Sequence, residues 1–273
     1  MWKQKSEQTR HIFFIIYLLI LCAFVIFYRL GEKDMWDGLE SESAIAGRDM
    51  LETGRIVIPY ILNEPFVDNR PPGVWWLITA SYKLTGGPST WAARLPSALA
   101  ALVCVLLVYT IGERAANANA GFLSALILLG MAYFVLLSRV SQQDMLLTMA
   151  TILCLWAFWR SLDNNNTAFI YVLAFQVCLG FGVMMKGPAV VVNTFSSLAA
   201  YLLYSRRWRD VKWISYIVTL PVGLCLSLWW YIYVWVERLS LRDVMIHRFT
   251  DQSSLHVEAF YFYFLHLPEL LGP

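Results

Sequence analysis

The chain has 273 residues, of which 59% are hydrophobic and 15% charged, with a formal net charge of +2. Soluble domains carry roughly a quarter charged residues, so these proportions exclude a soluble globule and place the chain in a lipid bilayer. The near-neutral balance gives no reason to expect a nucleic-acid partner, and the five cysteines, scattered through apolar stretches, suit neither a disulfide framework nor a zinc site.

The chain opens with Lys3, Lys5 and Arg10 and then runs uncharged over residues 12–28, close to the roughly 20 residues a helix needs to span. No small-residue cleavage site follows, which makes this an uncleaved anchor rather than a signal peptide. An acidic loop comes next, and within it residues 39–53 read as a helix. At about 100° per residue, Glu42 and Asp49 share one polar side, whereas Glu40 points about 160° away from Glu42, beside Ala44, Gly47 and Leu51. Residues 73–84 follow Pro71-Pro72 and are too few to span, which suits an interfacial or re-entrant helix. Apolar runs of near-spanning length then fall at 90–111, 119–138, 145–161, 168–185, 188–204 and 213–236, and an eighth begins near residue 260.

The expected fold is all-α: a polytopic transmembrane helix bundle of about seven to eight spans, with juxtamembrane helices in a first loop of residues 31–89. The last apolar segment stops before it can span, so the chain is expected to be a truncated part of a longer protein that forms one transmembrane domain over 1–273. The most basic short loop, Arg206-Arg207-Trp208-Arg209 with Lys212, belongs in the cytoplasm. With 73–84 not crossing, the N-terminus is also cytoplasmic, and residues 31–89, 139–144, 186–188 and 237–258 share the other face.

That face collects the residues able to carry chemistry. Glu40, on the less polar arc of its helix, is either a carboxylate facing a protein cleft, suited to general-base work, or part of a capping box begun by Asp37. Arg70, just before the two prolines, offers a planar charged fork to a phosphate or snorkels to lipid headgroups. In Arg139-Val140-Ser141-Gln142-Gln143-Asp144, the serine and aspartate fit a helix start, and the turn falls on the same face as Glu40 and Arg70. Lys186 precedes Gly187-Pro188, a helix break next to a charge at membrane depth, which lines a cavity or merely ends a span. His247, His256 and His266 lack close ligand spacing, so no metal site is expected.

In their order and spacing these pieces resemble the polyprenyl-phosphate-sugar-dependent glycosyltransferases of the GT-C superfamily, namely the aminoarabinose lipid A transferases and the protein O-mannosyltransferases. The resemblance runs through Glu40, Arg48-Asp49-Met50-Leu51-Glu52-Thr53-Gly54, Asp68-Asn69-Arg70-Pro71-Pro72-Gly73, Ala93-Arg94-Leu95-Pro96-Ser97, the 139–144 turn, Lys186-Gly187-Pro188, Arg248-Phe249 and His256. The sequence departs from the family pattern where Leu39 stands at the usual Asp of an Asp-Glu pair, Arg70 at a Lys, Asn69 at an occasional metal-ligating acid and Met245 at a His.

The resemblance implies an inverting glycosyltransferase of the inner membrane. It would move a sugar from a polyprenyl-phosphate donor to a lipid or protein acceptor at the extracytoplasmic face. The implied roles are catalysis for Glu40 and Asp144, with Asp37 or Glu42 as the alternative to Glu40, and substrate binding for Arg70, Lys186, Arg139 and His256. No cofactor is assigned, and a divalent metal stays compatible with the family. A transporter or lipid flippase, or a non-catalytic membrane fragment, is the competing class. The repeats a transporter would show are absent from the sequence.

Overall fold

The structure is a computed structural model in which residues 2–35, 38–58, 60–61, 64–65, 71–163 and 167–240 are described, with side chains described over 9–35, 38–58, 71–162 and 167–236. The chain divides into two compact units, residues 1–228 and 229–273. In the second, the described part is the end of a helix, through residue 240.

The first unit is an all-α transmembrane bundle. Helix α1 (Trp2–Cys22) runs into a π-helical turn (Ala23–Phe27); α2 (Gly38–Thr53) and α3 (Gly73–Thr85) follow, with a two-residue antiparallel pairing of Tyr60–Ile61 and Glu64–Pro65 between them. Then come α4 (Thr90–Ala115), α5 (Ala118–Gly130), α6 (Ala132–Ser138), α7 (Gln143–Asp163), α8 (Ala168–Lys186), α9 (Ala189–Ser205) and α10 (Trp213–Ser240). These helices carry apolar side chains outward as well as inward: Phe13 and Ile20 of α1, Phe24 of the π-helical turn, Val192 and Leu203 of α9, and Ile214 and Ile217 of α10 are all exposed. A helix apolar on every side belongs in lipid.

Among the described residues, five helices are long and apolar enough to cross a membrane. The run expected as one span over 119–138 is broken: α5 and α6 meet at 73°, where Met131 leaves the helical region after Gly130. Taken as one crossing, that pair makes a sixth. Helix α9, at 17 residues, is about 25 Å long and falls short of the roughly 30 Å hydrocarbon core. The expected count of seven to eight is thus five clear spans, one bent pair and one short apolar helix, and the segment near residue 260 lies outside the described residues.

Small residues set how closely the helices approach. A Cβ on Gly121 of α5 would sit 2.7 Å from the Glu113 backbone nitrogen of α4, and one on Gly112 would sit 2.9 Å from the Gly121 Cα. The two backbones therefore touch directly, the usual way membrane helices gain packing where lipid offers no hydrophobic drive. Farther along, Cys154, Phe158 and Leu162 of α7, Phe175 of α8 and Leu198 and Leu202 of α9 pack around Val211.

Helix α3 is too short to cross a membrane. Its 13 residues measure about 20 Å, and both of its ends meet the same end of the bundle. At its start, Gly73 lies on the last turn of α8, where a Cβ would come 2.5 Å from the Met184 carbonyl oxygen. At its finish, Gly86 takes a left-handed φ of 89°, and Ser89 caps α4 by accepting from the Ala92 N–H at 3.2 Å. Pro96 lacks the N–H that the Ala92 carbonyl would take inside α4. The Ser81 hydroxyl of α3 donates to that oxygen instead, at 2.6 Å, which ties α3 to the start of α4. Helix α2 rests on α3 through Thr79, whose hydroxyl donates to the Gly47 carbonyl at 2.9 Å, and through Tyr82, which donates to the Ala44 carbonyl at 3.3 Å. Burial pushes the Tyr82 phenol up to about 12, so it remains a neutral donor.

Candidate active site

The end of the bundle that receives α2 and α3 is organised by one buried ion pair. On α2 the buried positions are Glu40, Ser43, Ala44, Ala46, Gly47 and Met50, the inward arc that the sequence assigns to Glu40. Its carboxylate has no exposed surface. Arg94, in the second turn of α4, grips it with a fork: Nε donates to Oε1 at 2.7 Å and Nη2 to Oε2 at 3.2 Å. The other three guanidinium N–H groups go to the carbonyls of Leu30 (2.9 Å), Lys33 (2.9 Å) and Asp34 (3.0 Å). All five donors of Arg94 are therefore satisfied, the condition under which a buried guanidinium is tolerated. The Ser141 N–H completes the cluster by donating to Glu40 Oε1 at 3.0 Å. One carboxylate thus fastens the exit from the first span, α2, α4 and the 139–144 turn.

Beside this cluster lies a cavity of about 270 Å³ lined by Leu39, Glu42, Ser43, Trp75, Gln142, Gln143, Asp144 and Lys186. Asp144 stands in the first turn of α7 and Lys186 in the last turn of α8. An anion at a helix N-terminus and a cation at a C-terminus each match the helix dipole. The two side chains form an ion pair, each about one-third exposed. Gly187 follows with φ 70° and Pro188 then starts α9, so the chain reverses immediately after the lysine and leaves its ammonium at the bundle end.

Of the residues singled out in the sequence, Asp144 and Lys186 come together, and Glu40 lies behind them in the Arg94 cluster. Arg139 goes elsewhere. Its Nη1 donates to the Val25 and Ile26 carbonyls at 3.0 and 2.9 Å, and its Nη2 to those of Tyr28 and Arg29 at 2.8 and 3.3 Å, closing the end of the first span. Burial, reinforced by the positive charge of Arg94, pushes the Arg139 guanidinium below its ordinary value. Arg70 and His256 lie outside the described residues. No group of three or more His, Cys, Asp and Glu able to hold a metal occurs among the described residues.

Arg94 is the functional-site residue to which sequence reasoning gave no role, although a charge inside a predicted span was the available signal. Glu42, an alternative to Glu40 for the catalytic carboxylate in the sequence, sits on the polar side of its helix, and nothing local marks it as a cavity residue; Asp37, the other alternative, lies outside the described residues.

The family model for dolichyl-phosphate-mannose-protein mannosyltransferase matches residues 69–232. An uncharacterized protein of Aquifex aeolicus is 30% identical over 91% of this chain and 50% of its own length. The undecaprenyl phosphate-alpha-4-amino-4-deoxy-L-arabinose arabinosyl transferase of Enterobacter sp. is 22% identical over 90% of this chain and 46% of its own. The chain spans about half the length of these curated relatives. Among solved structures, ArnT from Cupriavidus metallidurans bound to undecaprenyl phosphate has a similar fold, with a TM-score of 0.70 at 20% identity over 83% of this chain and 41% of that one. The family match covers more than half of the sequence, and the chain belongs to the dolichyl-phosphate-mannose-protein mannosyltransferase family.

Proposed function

We propose that the protein takes part in transferring a sugar from a polyprenyl-phosphate donor to an acceptor hydroxyl or phosphate on a lipid or protein, with inversion. The observation that carries this reading is the Asp144–Lys186 pair in the wall of a cavity at the end of the bundle. When the bond from the anomeric carbon to the phosphate oxygen breaks, negative charge grows on the leaving phosphate. A fixed ammonium at that point stabilises the transition state more than the ground state. Lys186 supplies it, and Asp144 keeps the lysine in place. Arg70 and His256 enter the proposal as further donor contacts on the sequence alone, and Arg139 as a residue that positions the first span. The name of the Enterobacter relative and the lipid bound to ArnT favour undecaprenyl phosphate as the carrier.

The full chain in nanodiscs is expected to bind undecaprenyl phosphate saturably, read by the change in intrinsic tryptophan fluorescence that a Trp75→Phe variant loses, and to ignore undecaprenol, which lacks the phosphate. Equal response to both lipids would remove the reading.

The proposed setting is the inner membrane with the N-terminus in the cytoplasm, which puts the cavity on the extracytoplasmic side. The positive-inside pattern around 206–212 favours it. In a cysteine-free background, a cysteine at position 142 should react with an impermeant maleimide added outside intact cells, and one at 165 only after lysis. Reaction of position 142 only after lysis would invert the arrangement.

A further inference from the structure

We propose that Glu42 is the base that takes the acceptor's proton, an assignment that rests on the glycosyltransfer reading and names the residue that would complete it. Three carboxylates, Glu40, Glu42 and Asp144, lie in the cavity wall or in the cluster beside it, and the structure separates them by what they hold. Glu40 has no exposed surface, and its two oxygens are taken by Arg94 and the Ser141 N–H. Asp144 holds Lys186. Glu42 lines the same cavity and makes no ion pair or hydrogen bond among the described residues. A carboxylate saturated by a guanidinium, or neutralised by an ammonium, is a poor proton acceptor. One that lines the cavity with no cation bound to it keeps its lone pairs for an incoming O–H.

The fold also accounts for how Glu42 is aimed. It lies two residues after Glu40 on α2, about 160° around the helix. Glu40 is bolted to α4 and to the 139–144 turn, so the azimuth of α2 is fixed and Glu42 with it. Leu39 and Trp75 form the apolar part of the cavity wall, which limits competing water. Lys186, across the same cavity, is the cation for the leaving group.

In the transfer step, the acceptor oxygen bonds to the anomeric carbon while its proton passes to a Glu42 carboxylate oxygen. The bond from the anomeric carbon to the phosphate oxygen breaks, and its electron pair leaves with the polyprenyl phosphate.

The test uses the full chain in nanodiscs, with undecaprenyl phosphate-4-amino-4-deoxy-L-arabinose as donor probe and total membrane lipid as acceptor. Release of undecaprenyl phosphate is followed against pH, and undecaprenyl phosphate binding is measured in parallel. Glu42→Gln should lower transfer by roughly 100-fold or more, leave lipid binding within about two-fold and abolish the acid limb of the pH profile. Glu42→Asp should recover part of the rate. Transfer by Glu42→Gln at the parental rate, or a loss that keeps the acid limb, would overturn the assignment while leaving the glycosyltransfer reading intact. A parental chain without undecaprenyl phosphate binding would overturn that reading itself. Carbodiimide coupling on the unaltered chain is independent of any variant's folding: Glu42 should react and Glu40 should not, and the reverse pattern would also overturn the proposal.

Discussion

Arg94→Met should destabilise the folded protein by about 3–5 kcal/mol, because it leaves the Glu40 carboxylate buried without its cation. The loss is wider than one ion pair. Arg94 also satisfies the carbonyls of Leu30, Lys33 and Asp34, which a methionine cannot reach with any donor. Glu40→Gln should cost less, since an amide oxygen still accepts from the guanidinium and from the Ser141 N–H. The double variant Arg94→Met with Glu40→Leu should recover much of the Arg94→Met loss, as buried pairs replaced by apolar residues often do. Unfolding of the detergent-solubilised chain, followed by circular dichroism, reads all three. A fully folded Arg94→Met protein of parental stability would show that the pair does not organise this end of the bundle.

Lys186→Ala is expected to behave in the opposite way, keeping the fold and losing the reaction. The Asp144–Lys186 pair is about one-third exposed on each side, so its contribution to stability is at most about 1 kcal/mol. Its contribution to transfer should be roughly 100-fold or more, because a fixed charge at a growing oxyanion acts where water cannot reorganise to replace it. Lys186→Arg should retain part of the rate, since the charge stays but its shape and reach change. Asp144→Asn, which releases the lysine without removing it, should lose less than Lys186→Ala. Release of undecaprenyl phosphate from the sugar-loaded lipid, with a thermal melt of each variant, separates the two effects. Parental transfer by a folded Lys186→Ala protein would take the lysine out of the leaving-group role.

The course of the chain through the bilayer was legible because a spanning helix leaves a long apolar run, and each of the seven runs in the sequence corresponds to apolar helix. The break inside the run at 119–138 was not legible: Gly130 alone is a weak signal, and the 73° turn depends on how α5 and α6 pack on their neighbours. Helical periodicity gave the inward direction of Glu40, but a period cannot name a partner 54 residues away. The same limit hid the use made of Arg139, whose acceptors are carbonyls more than 100 residues earlier. Asp144 and Lys186 were both marked by their positions at helix ends, and their pairing follows from the antiparallel packing of α7 on α8.

The span in sequence between Arg139 and the carbonyls of Val25, Ile26, Tyr28 and Arg29 has a consequence for biogenesis. The first helix enters the bilayer with the oxygens at its far end unsealed, and the guanidinium that seals them is made only after α4, α5 and α6. At roughly 5–20 residues per second, the ribosome takes on the order of ten seconds to supply it. Throughout that interval the end of the first helix has to be served by headgroups, water or the insertion machinery, and a chain arrested before residue 139 would present it to quality control still open.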